Sequence, residues 1–286
     1  MRKSRPQHAA LLPALLPALL LALSSRSLLR AVLRIAAHRT GVLLLPLAVV
    51  AMSSEAAAQQ LTVSAAASLT DAFKAIGPLF EASRRGATVR FNFAASGVLL
   101  QQISQGAPVD ILASADQETI QRGLDRNLLD KESRQDFASN SLVLIEAATG
   151  GTGLKDLDGL KSPRVRRIAI GKSATVPVGR YTRQVLEASG HWLALQPKLI
   201  QADSVRQVLD YVGRGKVEAG FVYRTDAALM TDRVKVVATV QGHEPIRYPV
   251  AVVRDSSKKP LAREFVRFLQ SAPAQDTLRR YGFGAP

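Results

Sequence analysis

The sequence predicts an α/β protein with largely parallel sheets. Short β-branched or apolar runs alternate along the chain with stretches in which apolar residues recur every three or four positions, as expected for strands that alternate with helices. The chain has 286 residues, of which 47% are apolar and 21% charged, and this is the composition of a globular protein with one or two domains. Because no segment repeats at a fixed period, a solenoid is excluded.

The individual elements follow from local patterns. Apolar helical faces are predicted after Ser68, before Gly213 and near the C-terminus, and the glycine-rich stretch 149–153 is a candidate boundary between compact units. Eight short segments are predicted to be strands because they are rich in apolar and β-branched residues: 61–66, 88–93, 109–114, 141–145, 166–170, 217–223, 234–239 and 247–253.

The first 58 residues have the features of a targeting segment. Apolar runs occupy 9–23 and 41–52, and the second is preceded by arginines and followed by an A-x-A cleavage site at 56–58. Neither run reaches the roughly 18 uninterrupted apolar residues of a membrane span, although a two-pass anchor remains an alternative. We therefore expect 1–58 to be a targeting segment whose signal starts near residue 30 and is cleaved near Ala58, which gives an exported mature protein.

The charge balance argues against nucleic acid as a partner. The net charge is +15, from 38 basic and 23 acidic residues. Removal of 1–58, which holds seven of the basic residues and one of the acidic ones, leaves 31 and 22. The remaining basic residues are scattered, no block of five like charges occurs, and aromatic residues do not alternate with basic ones. We interpret the charge as a solvated surface that attracts anions over long range.

Residue types and motifs needed for common enzymes are absent from the sequence. The chain has no cysteine and four histidines, which excludes a disulfide scaffold, an iron–sulfur site and a cysteine nucleophile. The triplet 171-GKS-173 would belong to a phosphate-binding loop only with glycine at position 166, which is Arg166. No G-x-S-x-G motif occurs, and neither His191 nor His243 lies in a pattern typical of a catalytic triad. The sequence therefore predicts no catalytic residues.

Four segments combine the end of an apolar strand, a small or hydroxyl residue and the start of a helix. They are 63–73, 91–103, 168–182 and 199–209. Such residues cap helices in many proteins; Ser68 with Asp71 has the capping-box spacing, and Asp203 or Ser204 is predicted to cap a helix that begins near Val205. If the four helix starts converge beyond the carboxyl ends of parallel strands, their amides form an anion site that needs no cation.

Eight stretches of the chain, in order, resemble the molybdate-binding proteins of bacterial ABC importers, which are type II periplasmic binding proteins. The resemblance implies two lobes, each a mostly parallel sheet flanked by helices, with the ligand cleft between them. It places lobe 1 at 59–140 plus 241–286 and lobe 2 at 141–240. The matching stretches are 65–73, 106–117, 140–145, 176–182, 220–227, 234–239, 248–253 and 280–283.

The resemblance also implies a set of ligand-binding residues that hold the oxyanion directly, without a cofactor or a cation site. Two serines are expected to give hydroxyl and amide donors, two valines to give backbone amides, and a tyrosine, which could otherwise be a core residue, to give its hydroxyl. Gly97 stands where many members carry a second hydroxyl residue, and Val178 replaces a smaller alanine, which is expected to tighten the cavity. The five implied residues are Ser68, Ser96, Val178, Val205 and Tyr223.

The function implied is capture of molybdate, and of tungstate by extension, by a monomeric binding protein that delivers it to a membrane permease. Molybdate is doubly negative and fully deprotonated at neutral pH, so it suits a site made only of donors, whereas phosphate keeps a proton that needs an acceptor. Sulfate shares the charge and shape of molybdate. Receptors for sulfate, phosphate or chelated iron therefore remain alternatives, as do an exported hydrolase and a regulatory ligand-binding domain.

Overall fold

The computed structural model describes residues 59–286; the predicted targeting segment 1–58 lies outside them. The described strands, in chain order, are β1 (Gln59–Ala66), β2 (Ala87–Ala94), β3 (Ile111–Ala113), β4 (Gln135–Ser139), β5 (Leu142–Ala147), β6 (Ile168–Gly171), β7 (Leu199–Ala202), β8 (Ala219–Tyr223), β9 (Val234–Thr239) and β10 (Arg247–Val252). They form two five-stranded sheets, with the orders β2-β1-β3-β10-β4 and β7-β6-β8-β5-β9.

The sheets are mixed, which corrects the expectation of largely parallel sheets. In the first sheet β1 is parallel to β2 and β3, whereas β10 is antiparallel to β3 and β4. In the second sheet β6 is parallel to β7 and β8, whereas β5 is antiparallel to β8 and β9. The physical reason is connectivity: β5 and β10 each enter their sheet from the other sheet, so neither is joined to a neighbouring strand by the helical crossover that makes two strands parallel.

All eight predicted strands are present, and two further strands escaped the prediction. In β4 only Phe137 and Ala138 are buried, so the strand has no apolar run long enough to be recognised. Strand β7 lies at a sheet edge, where Ile200 and Gln201 are exposed. Both strands are short, and only two side chains of β4 and one of β7 are buried, so neither strand gives a clear local pattern.

Seven helices of nine or more residues cover the sheets in the described part of the chain. Helices α1 and α6 pack on β2 and β10 of the first sheet, α7 packs on α1, and α4 and α5 pack on β6 of the second. Their bounds are α1 (Thr70–Ser83), α2 (Ser96–Ser104), α3 (Gln117–Asp125), α4 (Pro177–Ala188), α5 (Val205–Gly213), α6 (Lys259–Phe268) and α7 (Ala272–Arg280). Within residues 59–286 no helix combines the length and the apolar character needed to cross a membrane.

The core of the first sheet is aromatic on one face. Phe73 of α1 lies at its centre, with ring-centroid distances of 5.8 Å to Phe91, 5.7 Å to Phe137 and 6.2 Å to Phe265. These residues come from α1, β2, β4 and α6. The cluster therefore ties helix α6 to the first sheet, although the second sheet lies between them in sequence.

Two connections join the sheets. Strand β4 ends at Ser139 and β5 begins at Leu142, whereas β9 ends at Thr239 and β10 begins at Arg247. We call the first sheet with α1–α3, α6 and α7 lobe 1, and the second sheet with α4 and α5 lobe 2. The predicted lobe boundaries at 140/141 and 240/241 fall in these two connections and stay predictions in their exact positions.

Candidate functional site

The starts of four helical segments meet at one cavity between the lobes. Its volume is about 10 Å³, roughly the room that one water molecule needs, so the lobes must separate to admit a larger ion. All five residues predicted from the sequence line it: Ser68, Ser96, Val178, Val205 and Tyr223. The other lining residues are small or apolar and had not been singled out: Ala66, Ala67, Ala95, Ala115, Val176 and Pro177.

Ser96 is the first residue of α2 and is fully buried. The backbone N–H of Ala115, which follows β3, donates a hydrogen bond of 3.1 Å to the Ser96 Oγ. Since a hydroxyl has one proton and two lone pairs, this bond occupies the oxygen and leaves the proton available to a ligand in the cavity. Ser96 is thus arranged as a donor.

Ser68 does not cap α1, contrary to the capping-box prediction. It lies in a short 3₁₀ turn, Ala67–Leu69, and α1 begins only at Thr70. The extra turn moves Ser68 off the cap position, and its Oγ lies 3.0 Å from the hydroxyl oxygen of Tyr248. Asp71, the other member of the predicted box, lies 2.8 Å from Arg206 of lobe 2. The capping-box pattern thus placed Ser68 near the start of α1, but its prediction that the Ser68 side chain caps the helix was wrong.

Val178 and Val205 lie in the first turns of α4 and α5, where backbone N–H groups have no partner within the helix. Helix α4 packs directly on the end of β6: a Cβ on Gly179 would lie 2.0 Å from the carbonyl oxygen of Gly171. Helix α5 begins as predicted, with Ser204 as its cap accepting from the Gln207 N–H at 3.2 Å. Both valines therefore present amides at the cavity.

Tyr223 ends β8 and is buried in the cavity wall, with 1% of its surface exposed. Its hydroxyl has no hydrogen-bond partner among residues 59–286. Burial raises the pKa of Tyr223 well above its ordinary value, so the hydroxyl keeps its proton. A buried hydroxyl without a partner is costly to a folded protein, and its presence in the cavity wall is what a ligand acceptor would explain.

Two arginines from lobe 2 cross to acidic residues of lobe 1 beside the cavity. Arg180 of α4 donates from Nε to Asp116 Oδ2 at 2.7 Å, and Asp116 caps α3. Arg206 of α5 contacts Asp71 and the Ser68 carbonyl oxygen. None of the cavity-lining residues is charged, so these ion pairs flank a neutral site. Local sequence patterns gave no signal for them.

In residues 59–286 no group of three or more histidine, aspartate or glutamate side chains is placed to hold a metal ion. That the protein works without a cofactor or a cation stays an expectation.

Asp226, beside Arg206, is predicted to make stability depend on pH. It is fully buried, and Arg206 Nε lies 2.7 Å away without pointing its N–H at the carboxylate. Burial raises the pKa of Asp226 from 3.8 to about 6, although Arg206 opposes the shift. Because the folded-state pKa is the higher one, the group stabilises the fold below about pH 4, and this contribution is lost as pH rises to about 6.

We therefore expect Asp226→Asn to remove this pH dependence. At pH 7 the variant should be more stable than the wild type by roughly 2–3 kcal/mol, the free energy of a two-unit pKa difference. Urea unfolding of both proteins between pH 4 and pH 7.5 measures the difference, which should grow with pH. A difference that stays constant over that range would show that Asp226 does not titrate there.

Comparisons with known proteins identify the family of this chain. The family described as bacterial extracellular solute-binding protein matches residues 61–284. The molybdate-binding protein ModA of Escherichia coli is 36% identical over 238 residues, which cover 78% of this chain and 88% of that protein.

Solved structures share the fold. The periplasmic molybdate-binding protein of Azotobacter vinelandii is 25% identical, with a TM-score of 0.68 and coverage of 79% of this chain and 99% of that one. The sulfate-binding protein SubI of Mycobacterium tuberculosis, at 20% identity, a TM-score of 0.69 and coverage of 79% and 86%, shows the same fold alone. The expected two-lobed α/β fold is confirmed, although its sheets are mixed, and the chain belongs to the bacterial extracellular solute-binding protein family.

Proposed function

We propose that this protein captures molybdate, and tungstate with it, in the periplasm and delivers it to the permease of an ABC importer. The observation that carries the proposal is the cavity itself, where buried hydroxyls from both lobes and the first amides of several helices meet. Its five predicted ligand residues contain no acid, and the Tyr223 hydroxyl has no protein partner among residues 59–286. Such a site offers donors and no acceptor that is ionised.

This donor set discriminates between oxyanions by protonation. Phosphate near pH 7 carries a proton and would require an acceptor, such as a carboxylate, in the cavity wall. Molybdate, tungstate and sulfate carry no proton and need donors only. Hydrogen bonds to charged groups contribute roughly 1.5–3 kcal/mol each, and partial positive charge at helix starts adds to them. The molybdate-binding relative in Escherichia coli supports the choice of molybdate over sulfate.

Delivery to a permease follows from the two-lobed architecture. Closure of the lobes on the ion would bury it and bring together surfaces of both lobes that a membrane permease can bind. We propose that the protein acts as a monomer, without a cofactor and without enzymatic activity. We further propose export by a signal cleaved near Ala58, and N-terminal sequencing of the exported protein should then begin near Gln59.

The proposed ligand is tested by a thermal-shift titration of the exported protein with molybdate, tungstate, sulfate and phosphate in parallel. A ligand that binds only the folded state raises the melting temperature by mass action. We expect a rise with molybdate and tungstate. A rise with sulfate or phosphate alone would keep the fold and overturn the ligand, and a rise with none of the four would contradict oxyanion capture.

Loss of a serine donor should weaken binding. We expect Ser68→Ala or Ser96→Ala to reduce the molybdate binding free energy by about 1–3 kcal/mol, because a buried anion loses a donor. Isothermal titration calorimetry measures the change. Ser83→Ala is the matched control, since the Ser83 hydroxyl donates to the Phe80 carbonyl oxygen and does not line the cavity. Unchanged affinity in both test variants would mean that the site lies elsewhere.

A further inference from the structure

Tyr248 lies behind the cavity and contacts one of its serines. It is the second residue of β10, the strand by which the chain returns from lobe 2 to lobe 1, and it is fully buried. Its hydroxyl oxygen lies 3.0 Å from Ser68 Oγ and 3.2 Å from Asn140 Nδ2. Asn140 belongs to the other connection between the lobes, between β4 and β5. The three residues therefore link both connections to the anion site.

The orientation of the Asn140 side chain fixes the first hydrogen bond. The backbone N–H of Ser141 donates to Asn140 Oδ1 at 2.9 Å, which identifies the other amide atom as the nitrogen. An amide nitrogen only donates. Asn140 Nδ2 therefore donates to Tyr248 Oη, and it also donates to Thr225 Oγ1 at 2.9 Å.

The proton of Tyr248 then has one destination among the groups it contacts. Asn140 Nδ2 cannot accept, so the phenolic proton goes to Ser68 Oγ, the other group within hydrogen-bonding distance. Burial raises the pKa of Tyr248 well above its ordinary value, so this proton is present at neutral pH. The bond occupies the Ser68 oxygen and leaves the Ser68 proton to point into the cavity.

We infer that Tyr248, held by Asn140, is a positioning residue that makes Ser68 a donor to the bound oxyanion. The inference rests on the proposed function and extends it to two residues that do not line the cavity. Ser96 has the same arrangement with a different donor, since the Ala115 N–H occupies its oxygen. In both serines a protein donor faces the lone pairs and the hydroxyl proton is reserved for the ligand. Donors aligned in series also strengthen one another by polarisation.

The test is molybdate calorimetry on the full chain with Tyr248→Phe, alone and together with Ser68→Ala. We expect Tyr248→Phe to weaken molybdate binding about 5- to 10-fold, which corresponds to the net free energy of one neutral hydrogen bond. In the Ser68→Ala background the same change should have no further effect, because Tyr248 acts through Ser68. A structural role would instead weaken binding equally in both backgrounds.

Asn140→Asp provides a second, independent variant of nearly the same shape. A carboxylate accepts the Tyr248 proton, so Ser68 then donates to Tyr248 and turns its lone pairs toward the anion. We expect a larger loss than for Tyr248→Phe. The effect of the added charge alone is measured by making Asn140→Asp in the Ser68→Ala background, where the hydrogen bond between Tyr248 and Ser68 is absent and the charge remains. Thr225→Val is the matched control: it removes the other acceptor of the same amide and should leave affinity within about twofold.

The outcomes separate the two proposals. If the wild-type protein does not bind molybdate, the proposed function fails before any variant is compared. If the wild type binds molybdate and Tyr248→Phe binds it equally well, the positioning role alone is overturned. The same holds if Tyr248→Phe lowers the affinity as much in the Ser68→Ala background as in the wild type. Cooperative thermal unfolding of each variant in the absence of ligand confirms that a measured loss of affinity belongs to a folded protein.

Discussion

Replacement of Arg180 by methionine is expected to lower the free energy of unfolding by about 3–5 kcal/mol, the usual effect of removing one partner of a buried ion pair. Arg180 belongs to lobe 2 and its partner Asp116 to lobe 1; their side chains are 11% and 5% exposed. Without the guanidinium, Asp116 keeps its bonds from Ser114 Oγ and the Thr119 N–H but loses its cation. Urea unfolding together with molybdate calorimetry measures the cost.

Both measurements are needed because the variant has two ways to respond. It can unfold more easily, or it can open its lobes so that water reaches Asp116, which would weaken ligand binding instead. Arg183→Met is the matched control on the same helix: the Arg183–Glu187 pair is half exposed, and pairs of that kind contribute less than about 1 kcal/mol. If Arg180→Met changed neither stability nor affinity by more than the control, the pair would not hold the lobes together.

Gly97→Ala is expected to weaken molybdate binding about 10- to 100-fold while the protein stays folded. The N–H of Gly97 in lobe 1 donates to the Thr175 carbonyl oxygen of lobe 2 at 2.9 Å. A Cβ at Gly97 would lie 2.7 Å from that oxygen and 2.8 Å from the Thr175 Cα. Backbone atoms cannot rotate away, so the lobes must separate beside Ser96. Overpacking of this kind costs roughly 1–3 kcal/mol, and calorimetry would show it as lost affinity.

The stability of Gly97→Ala without ligand distinguishes a separation of the lobes from a general loss of folding stability. Alanine favours a helix more than glycine does, so unfolding in the absence of ligand should require no less urea. Gly123→Ala is the control within lobe 1, since its Cβ would meet the side chain of Leu129; it should affect unfolding and leave affinity unchanged. Unaltered affinity in Gly97→Ala would mean that binding does not require the lobes to approach as closely as they do in this structure.

The sequence predicted the α/β class and the start of α5 at Val205 because both depend on neighbouring residues. Apolar periodicity follows from which side of an element faces the core, and the cap at Ser204 follows from hydrogen bonds within one turn. The five ligand residues came from the resemblance, and the structure brings them to one cavity. Their role as molybdate ligands stays a prediction until binding is measured.

Tertiary structure alone decided the strand directions, the partners of the charged residues and the direction of the serine hydroxyls. The antiparallel course of β5 and β10 depends on which strand each meets after changing lobe. Arg180 and Asp116 are 64 residues apart, and Ser68 and Tyr248 are 180 apart. A hydrogen bond between residues so far apart in sequence cannot be recognised from local composition, because each partner alone looks like an ordinary polar or core residue. Only the tertiary packing around each hydroxyl decides which group donates and which accepts.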